Sequence, residues 1–188
     1  MNEPFPTDRR SRRRFLLGAA GLLALSVCRA QDYEEISWEE LIPEDWDPSE
    51  SFRDLQHLDL AELPDSDARI QELYDRMRKV WDSAPTVQTM AGRPVRLPGY
   101  VVPLELDREG FREFLLVPYF GACIHTPPPP ANQIIHVRSK SPVKGLRTMD
   151  AVWVSGTLGL ERSDSEMGAS GYSLAAKIVT KFEPGDGR

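Results

Sequence analysis

Cys123 and His125 stand two residues apart in the run Tyr119-Phe120-Gly121-Ala122-Cys123-Ile124-His125-Thr126, directly ahead of four consecutive prolines, Pro127 to Pro130. In extended backbone, side chains two apart project to the same side, so thiol and imidazole would be presented together. The prolines lack N–H donors and favour stiff polyproline II geometry, which leaves the chain after the pair little freedom. A rigid wall of that kind lowers the ordering cost of binding something beside it.

Three chemistries suit such a cysteine. As a metal ligand, a thiolate beside an imidazole offers soft and borderline donors suited to Zn²⁺ or copper. Two ligands do not complete a zinc site, and the third donor would be His136, eleven residues on from His125, with Glu105 or water as substitutes. As a nucleophile, Cys123 would need its pKa lowered by a neighbouring imidazolium, and acyl transfer would also need an oxyanion site that no motif marks. As a structural residue it is a small buried apolar side chain. His57 lies among Asp54, Asp59 and Glu62 and reads as a solvated surface residue. His136, inside an apolar run, suits a hydrogen-bonded core position as well as a ligand. The chain carries no P-loop, dinucleotide fingerprint, paired CxxC or nucleophile elbow.

The elements that must position these groups read mostly as β. Val95 to Glu105, bent at Pro98-Gly99, Phe114 to Tyr119, Asn132 to Val137, Ala151 to Leu158, and Tyr172 to Phe182 are five short strands. Asp107 to Gly110 is a turn, and the Ser-, Gly- and acid-rich stretch from Glu161 to Gly171 reads as an exposed loop. Ahead of the strands, Ser66 or Asp67 can cap a helix running to about Trp81. Its stripe of Ile70, Leu73, Tyr74, Met77, Val80 and Trp81 is expected to pack on the sheet. Before it, Gln31 to about Asp67 is acidic and interrupted by proline, but Trp38 to Pro43 reads as a short helical turn docked on the domain, since two tryptophans are uncommon in a disordered tail. The expected fold is mainly β (α+β): a five-stranded antiparallel, partly open barrel of the oligonucleotide/oligosaccharide-binding (OB) type, preceded by one amphipathic helix and an acidic arm. An open roll or small sandwich is the alternative.

The first thirty residues differ from the rest. Ser11-Arg12-Arg13-Arg14-Phe15-Leu16-Leu17 resembles a twin-arginine export motif, and the apolar run that follows, Phe15 to Val27, is too short to span a bilayer comfortably. Residues 1–30 are expected to be a signal peptide, with residues 31–66 the acidic arm and 67–188 the helix and barrel. Cleavage after Ala30 would give a soluble periplasmic protein. Leu25-Ser26-Val27-Cys28 is an alternative, poorer lipobox, and only a lipid on Cys28 would bring membrane contact. In either case Cys123 is left without a disulfide partner, because the chain has two cysteines. Residues 1–30 hold six arginines and two acids, so the remainder carries 17 basic and 27 acidic side chains (23 less 6, and 29 less 2). That acidity argues against nucleic acid, whose binding rests on Lys and Arg displacing counterions.

Phe120 to His125, the four prolines and Asn132-Gln133 closely resemble a group of exported bacterial proteins catalogued as domain of unknown function 3299. Pro98 to Leu104 and Phe114 to Tyr119 look similar too, and the resemblance runs from about Ile36 to Phe182. It implies an envelope setting near transport components and a link with metal supply, an analogy of family rather than of site. The leading functional expectation is a non-enzymatic, periplasmic accessory protein that binds zinc or copper through Cys123, His125 and His136 and serves an envelope transporter. A second is an OB-like module that binds a peptide, glycan or protein partner through the proline loop with Tyr119 and Phe120. A thiol enzyme with Cys123 as nucleophile and His125 as base is the third.

Overall fold

A computed structural model describes residues 32–55, 64, 66–105, 109–121 and 129–183, all within the unit formed by Gln31–Arg188. The signal-like segment, His57, Cys123 and His125 therefore lie outside the described residues. No described helix is long and apolar enough to cross a membrane.

Five strands form the barrel: β2 (Pro94–Pro103), β3 (Phe111–Val117), β4 (Ile135–Val143), β5 (Ala151–Gly159) and β8 (Tyr172–Lys181). A two-residue strand, β1 (Glu34–Glu35), adds to β2. The order around the barrel is β2-β3-β4-β8-β5, and β5 pairs back onto β2, so the sheet closes. Closure and mixed pairing are the two points on which the expected barrel needs adjusting. With five strands in a ring, alternation of direction cannot hold all the way round, and at least one neighbouring pair must run parallel. Here it is β4 with β8, over Ile135–Ser139 and Tyr172–Ala176.

Period-two burial along β2 gives the reason these residues form a strand and shows which way it faces. Val95, Leu97 and Val101 are fully buried and alternate with outward Pro94, Arg96 and Pro98. The core they enter also holds Phe114, Leu116, Ile135, Val137, Val152, Val154, Leu158, Tyr172 and Leu174. Each such side chain contributes about 1.5–3 kcal/mol by leaving water. The expected bend at Pro98-Gly99 is where β2 changes partners: Pro94 to Tyr100 pair with β5, and Tyr100 to Pro103 pair with β3. A Cβ on Gly99 would lie 2.7 Å from the Leu116 side chain, so only glycine lets β3 approach there.

The docked turn takes its expected place. Trp38 and Leu41 are buried in the barrel core, and the Trp38 indole N–H donates to the Pro98 carbonyl at 2.7 Å. Tyr172, fully buried on β8, accepts from the Val87 N–H at 2.7 Å and donates to the Leu41 carbonyl at 2.9 Å. One phenol thus ties the arm and the approach to β2 onto the barrel.

Two expectations need correction. The helix α1 (Ala68–Asp82) is capped by Asp67, which accepts from the Arg69 N–H at 2.9 Å, but of its apolar stripe only Ile70 is buried. It lies against the 3₁₀ segment Pro48–Leu55, where Arg76 grips Asp54 at 2.7 and 2.9 Å, and against β7 (Gly168–Ser170), rather than contributing to the barrel core. The stretch read as a loop is a hairpin of β6 (Ser163–Ser165) with β7. Its composition hid it because serine hydroxyls do the stapling: Ser165 donates to the Gly168 carbonyl at 2.9 Å and Ser170 to the Ser163 carbonyl at 3.1 Å.

Candidate functional site: the outer face of β2, β3 and β4

Side chains of β2 and β3 that point away from the core, with Ile134 ahead of β4, build a second apolar layer on the outside of the barrel. Val102, Leu115, Val117, Ile134 and Met149 are buried in it, with Tyr100, Leu104 and Met167 partly covered at its margin. Burial of an outward face means that something covers it; Met149 is one of its buried members and Met167 packs against it. Met149 has φ of 68°, a left-handed conformation costly for a residue with a side chain. It is held there by its N–H donating to the Val101 carbonyl at 2.7 Å, and its sulfur accepts from the Gly121 N–H at 3.4 Å. Strain of this kind persists where the surroundings fix it, and it clusters at functional sites.

Beside this layer runs a groove of about 620 Å³ between the β2–β3 connection and the tip of the β6–β7 hairpin. Leu104, Phe111 and Met167 supply its apolar lining, while Glu105, Glu113 and Glu166 place three carboxylates on it against one guanidinium, Arg112. Arg112 donates to the Lys140 carbonyl on β4, which draws its charge to that side. At the other end of the layer Tyr119 and Phe120 are the exposed aromatics, 52% and 69% accessible, and Phe120 meets Tyr100 edge-on with ring centroids 5.9 Å apart. Groove, methionines and aromatics thus share one face of the barrel.

His136 sits on this face, not in the core: Ile135 and Val137 on either side point inward. It is 4% accessible, opposite Leu115 in the ladder, with Nε2 3.0 Å from Oε2 of Glu113. Nε2 meets the Glu113 carboxylate, and Nδ1 has no hydrogen-bond partner among the described residues. Glu113 was the residue sequence reasoning missed. The signal available was its outward parity on β3, one diagonal step from His136, but that step requires the β3–β4 register.

Among the described residues no three of His, Cys, Asp and Glu gather as a metal-holding group. Nδ1 of His136 is unpartnered among the described residues, Glu113 is already bonded to the same ring, and Glu105 lies on the groove. The described residues therefore offer part of a ligand set, and the proposed partners Cys123 and His125 fall outside them.

Comparison with known proteins agrees with this architecture. Among solved structures, the crystal structure of a DUF3299 family protein from Pseudomonas aeruginosa PAO1 is similar, with 35% sequence identity and a TM-score of 0.61, covering 81% of this chain and 98% of that one. No curated protein matches. The family model described as "Protein of unknown function (DUF3299)" matches residues 38–181. That stretch begins in the docked Trp38 turn and ends on the last residue of β8, so it takes in all five barrel strands and the whole outer face: the chain belongs to the DUF3299 family.

Proposed function

We propose that this is an exported, periplasmic binding module of the OB type, directed there by the twin-arginine segment at residues 1–30, and that it captures a peptide or glycan on the outer face of β2 and β3. The observation that carries the reading is the continuity of that face. The groove beside Leu104 and Met167 and the exposed rings of Tyr119 and Phe120 border one apolar layer. In OB-type barrels the comparable strand face and the loops flanking it are where polymers bind. Exposed aromatic rings give large contact area at low cost in side-chain entropy. The test is direct binding of the purified chain to arrayed envelope glycans and extended peptides. Capture lost in Tyr119→Ser/Phe120→Ser, with the circular dichroism spectrum unchanged, supports the reading; capture unaffected by that pair contradicts it.

A second reading, a transition-metal accessory factor for an envelope transporter using Zn²⁺ or copper, is favoured by the His136–Glu113 pair. Metal-ligating histidines regularly donate their other ring N–H to a carboxylate, and His136 sets Nε2 against Glu113 while Nδ1 has no partner among the described residues. Cys123 and His125 would be the further ligands. Equilibrium dialysis with Zn²⁺ and Cu⁺ tests it: binding abolished in Cys123→Ser, His125→Ala and His136→Gln supports the reading, and a stoichiometry near zero ends it.

A further inference from the structure

The barrel has a seam, and it carries most of the chain's lysines. β4 and β8 pair in parallel only as far as Ser139 and Ala176. Beyond that point β8 continues to Lys181 with its ladder bonds going to β5, and β4 continues to Val143 beside β3. The edges of Lys140–Val143 and Lys177–Lys181 that face one another form no ladder, and between them opens a groove of about 400 Å³. The chain has five lysines, and four of them, Lys140, Lys144, Lys177 and Lys181, lie on or next to these two segments. Lys144, Lys177 and Lys181 line the groove with Ser139 and Ser141, and no carboxylate lines it among the described residues. All four lysines are exposed, and none forms an ion pair among the described residues. Such a concentration is pronounced in a chain whose residues beyond 30 carry 27 acids against 17 bases.

We infer that this seam is a docking site for an acidic, extended peptide segment of a partner protein, which inserts as an added strand between the diverging ends of β4 and β8. Two features select that occupant. Unladdered strand edges recruit extended backbone by strand addition. The lysine ring then chooses the sign of the incoming side chains and speeds encounter with acidic segments. Lysines on an edge also repel another copy of the same edge, so the groove would admit an acidic strand and refuse its own kind. This site lies between β4 and β8 and does not rest on the function proposed above.

The experiment uses the purified chain and a fluorescent ten-residue peptide alternating Glu and Val, followed by anisotropy at low and high salt, with amide exchange as a second readout. The expected results are saturable binding that weakens as salt screens the lysines, about tenfold or greater loss in Lys177→Glu/Lys181→Glu, no change in Lys79→Glu, and slowed exchange at residues 177–181. Lys144→Gln, a milder change in the same groove, should fall between. The inference is overturned if the peptide does not bind, if Lys79→Glu weakens it as much as the groove variants, or if only anionic vesicles or inorganic phosphate bind. It is also overturned if the groove variants merely begin to self-associate, which would make the lysines edge guards alone.

Discussion

Replacing Tyr172 with phenylalanine removes one oxygen and should unpin two segments at once. The phenol is fully buried, accepts from the Val87 N–H and donates to the Leu41 carbonyl, itself on a residue with no exposure. Without it a buried backbone acceptor at Leu41 and a partly buried donor at Val87 are left unpaired, at about 1–3 kcal/mol each, partly offset because the hydroxyl no longer has to be desolvated. A net loss of about 2–4 kcal/mol follows, a large share of the about 5–15 kcal/mol that separates folded from unfolded domains. For a chain of this size that corresponds to a fall in Tm of about 5–15 °C. Urea denaturation followed by circular dichroism measures it, with Tyr100→Phe as the control, since the Tyr100 ring is only partly buried at the margin of the outer layer. A pH series adds a sign. Burial pushes the Tyr172 phenol above its ordinary value of 10.0, opposed by the Val87 N–H. The unfolded chain therefore loses this proton first, and stability present below pH 10 is lost as pH rises through the folded value. The parent should lose stability above pH 10 more steeply than Tyr172→Phe. A difference between the two below about 0.5 kcal/mol at neutral pH would refute the claim that this phenol fastens the arm.

Gly156→Ala should be damaging, because the new methyl would sit 2.4 Å from the Ala175 carbonyl oxygen at the β5–β8 bulge; a loss of about 1–3 kcal/mol or more is expected in the same urea assay. Asp67, held down chiefly by the Arg69 side chain and then by the Arg69 N–H, should titrate at about 2 by carboxyl NMR. Its hold on the start of α1 is then present above the ordinary carboxylate value of 3.8 and is lost as pH falls toward 2, seen as declining helicity. Glu113→Ala should cost about 1–2 kcal/mol by leaving the buried His136 imidazole without its partner, whereas His136→Leu should stay within about 1 kcal/mol because the half-exposed Glu113 returns to water.

Much of this architecture is written in local patterns. β-prone runs bounded by turns marked all five barrel strands, Asp67 and the stripe behind it marked α1, and two tryptophans in an acidic segment marked the docked turn. What local pattern cannot carry is which strand meets which. The parallel β4–β8 pair and the β2–β5 closure join residues tens of positions apart, and both follow from packing five strands into a ring. The β6–β7 hairpin was missed because three-residue strands of Ser, Gly and Asp have no apolar period, and the half-exposed stripe of α1 because periodicity reveals a face but not its neighbour. Of the candidate site, His136 and the exposed Tyr119 and Phe120 were legible by residue type. Glu113, Met149 and Met167 were not, because their positions come from register, a left-handed backbone and a hairpin tip. The convergence of Lys144 with Lys177 and Lys181 lay equally out of reach, since Lys144 is more than thirty residues from the other two and they meet only through the β4–β8 pairing.

Whether the outer face of β2 and β3 is a capture surface is tested most directly by photo-crosslinking from position 120 in intact cells. A benzophenone residue placed there should give one saturable adduct that excess unlabelled chain displaces and the Tyr119→Ser/Phe120→Ser chain does not, while the same residue at exposed Arg78 on α1 gives none. Equal labelling from both positions, or an adduct that the double variant displaces as well as the parent, would contradict it.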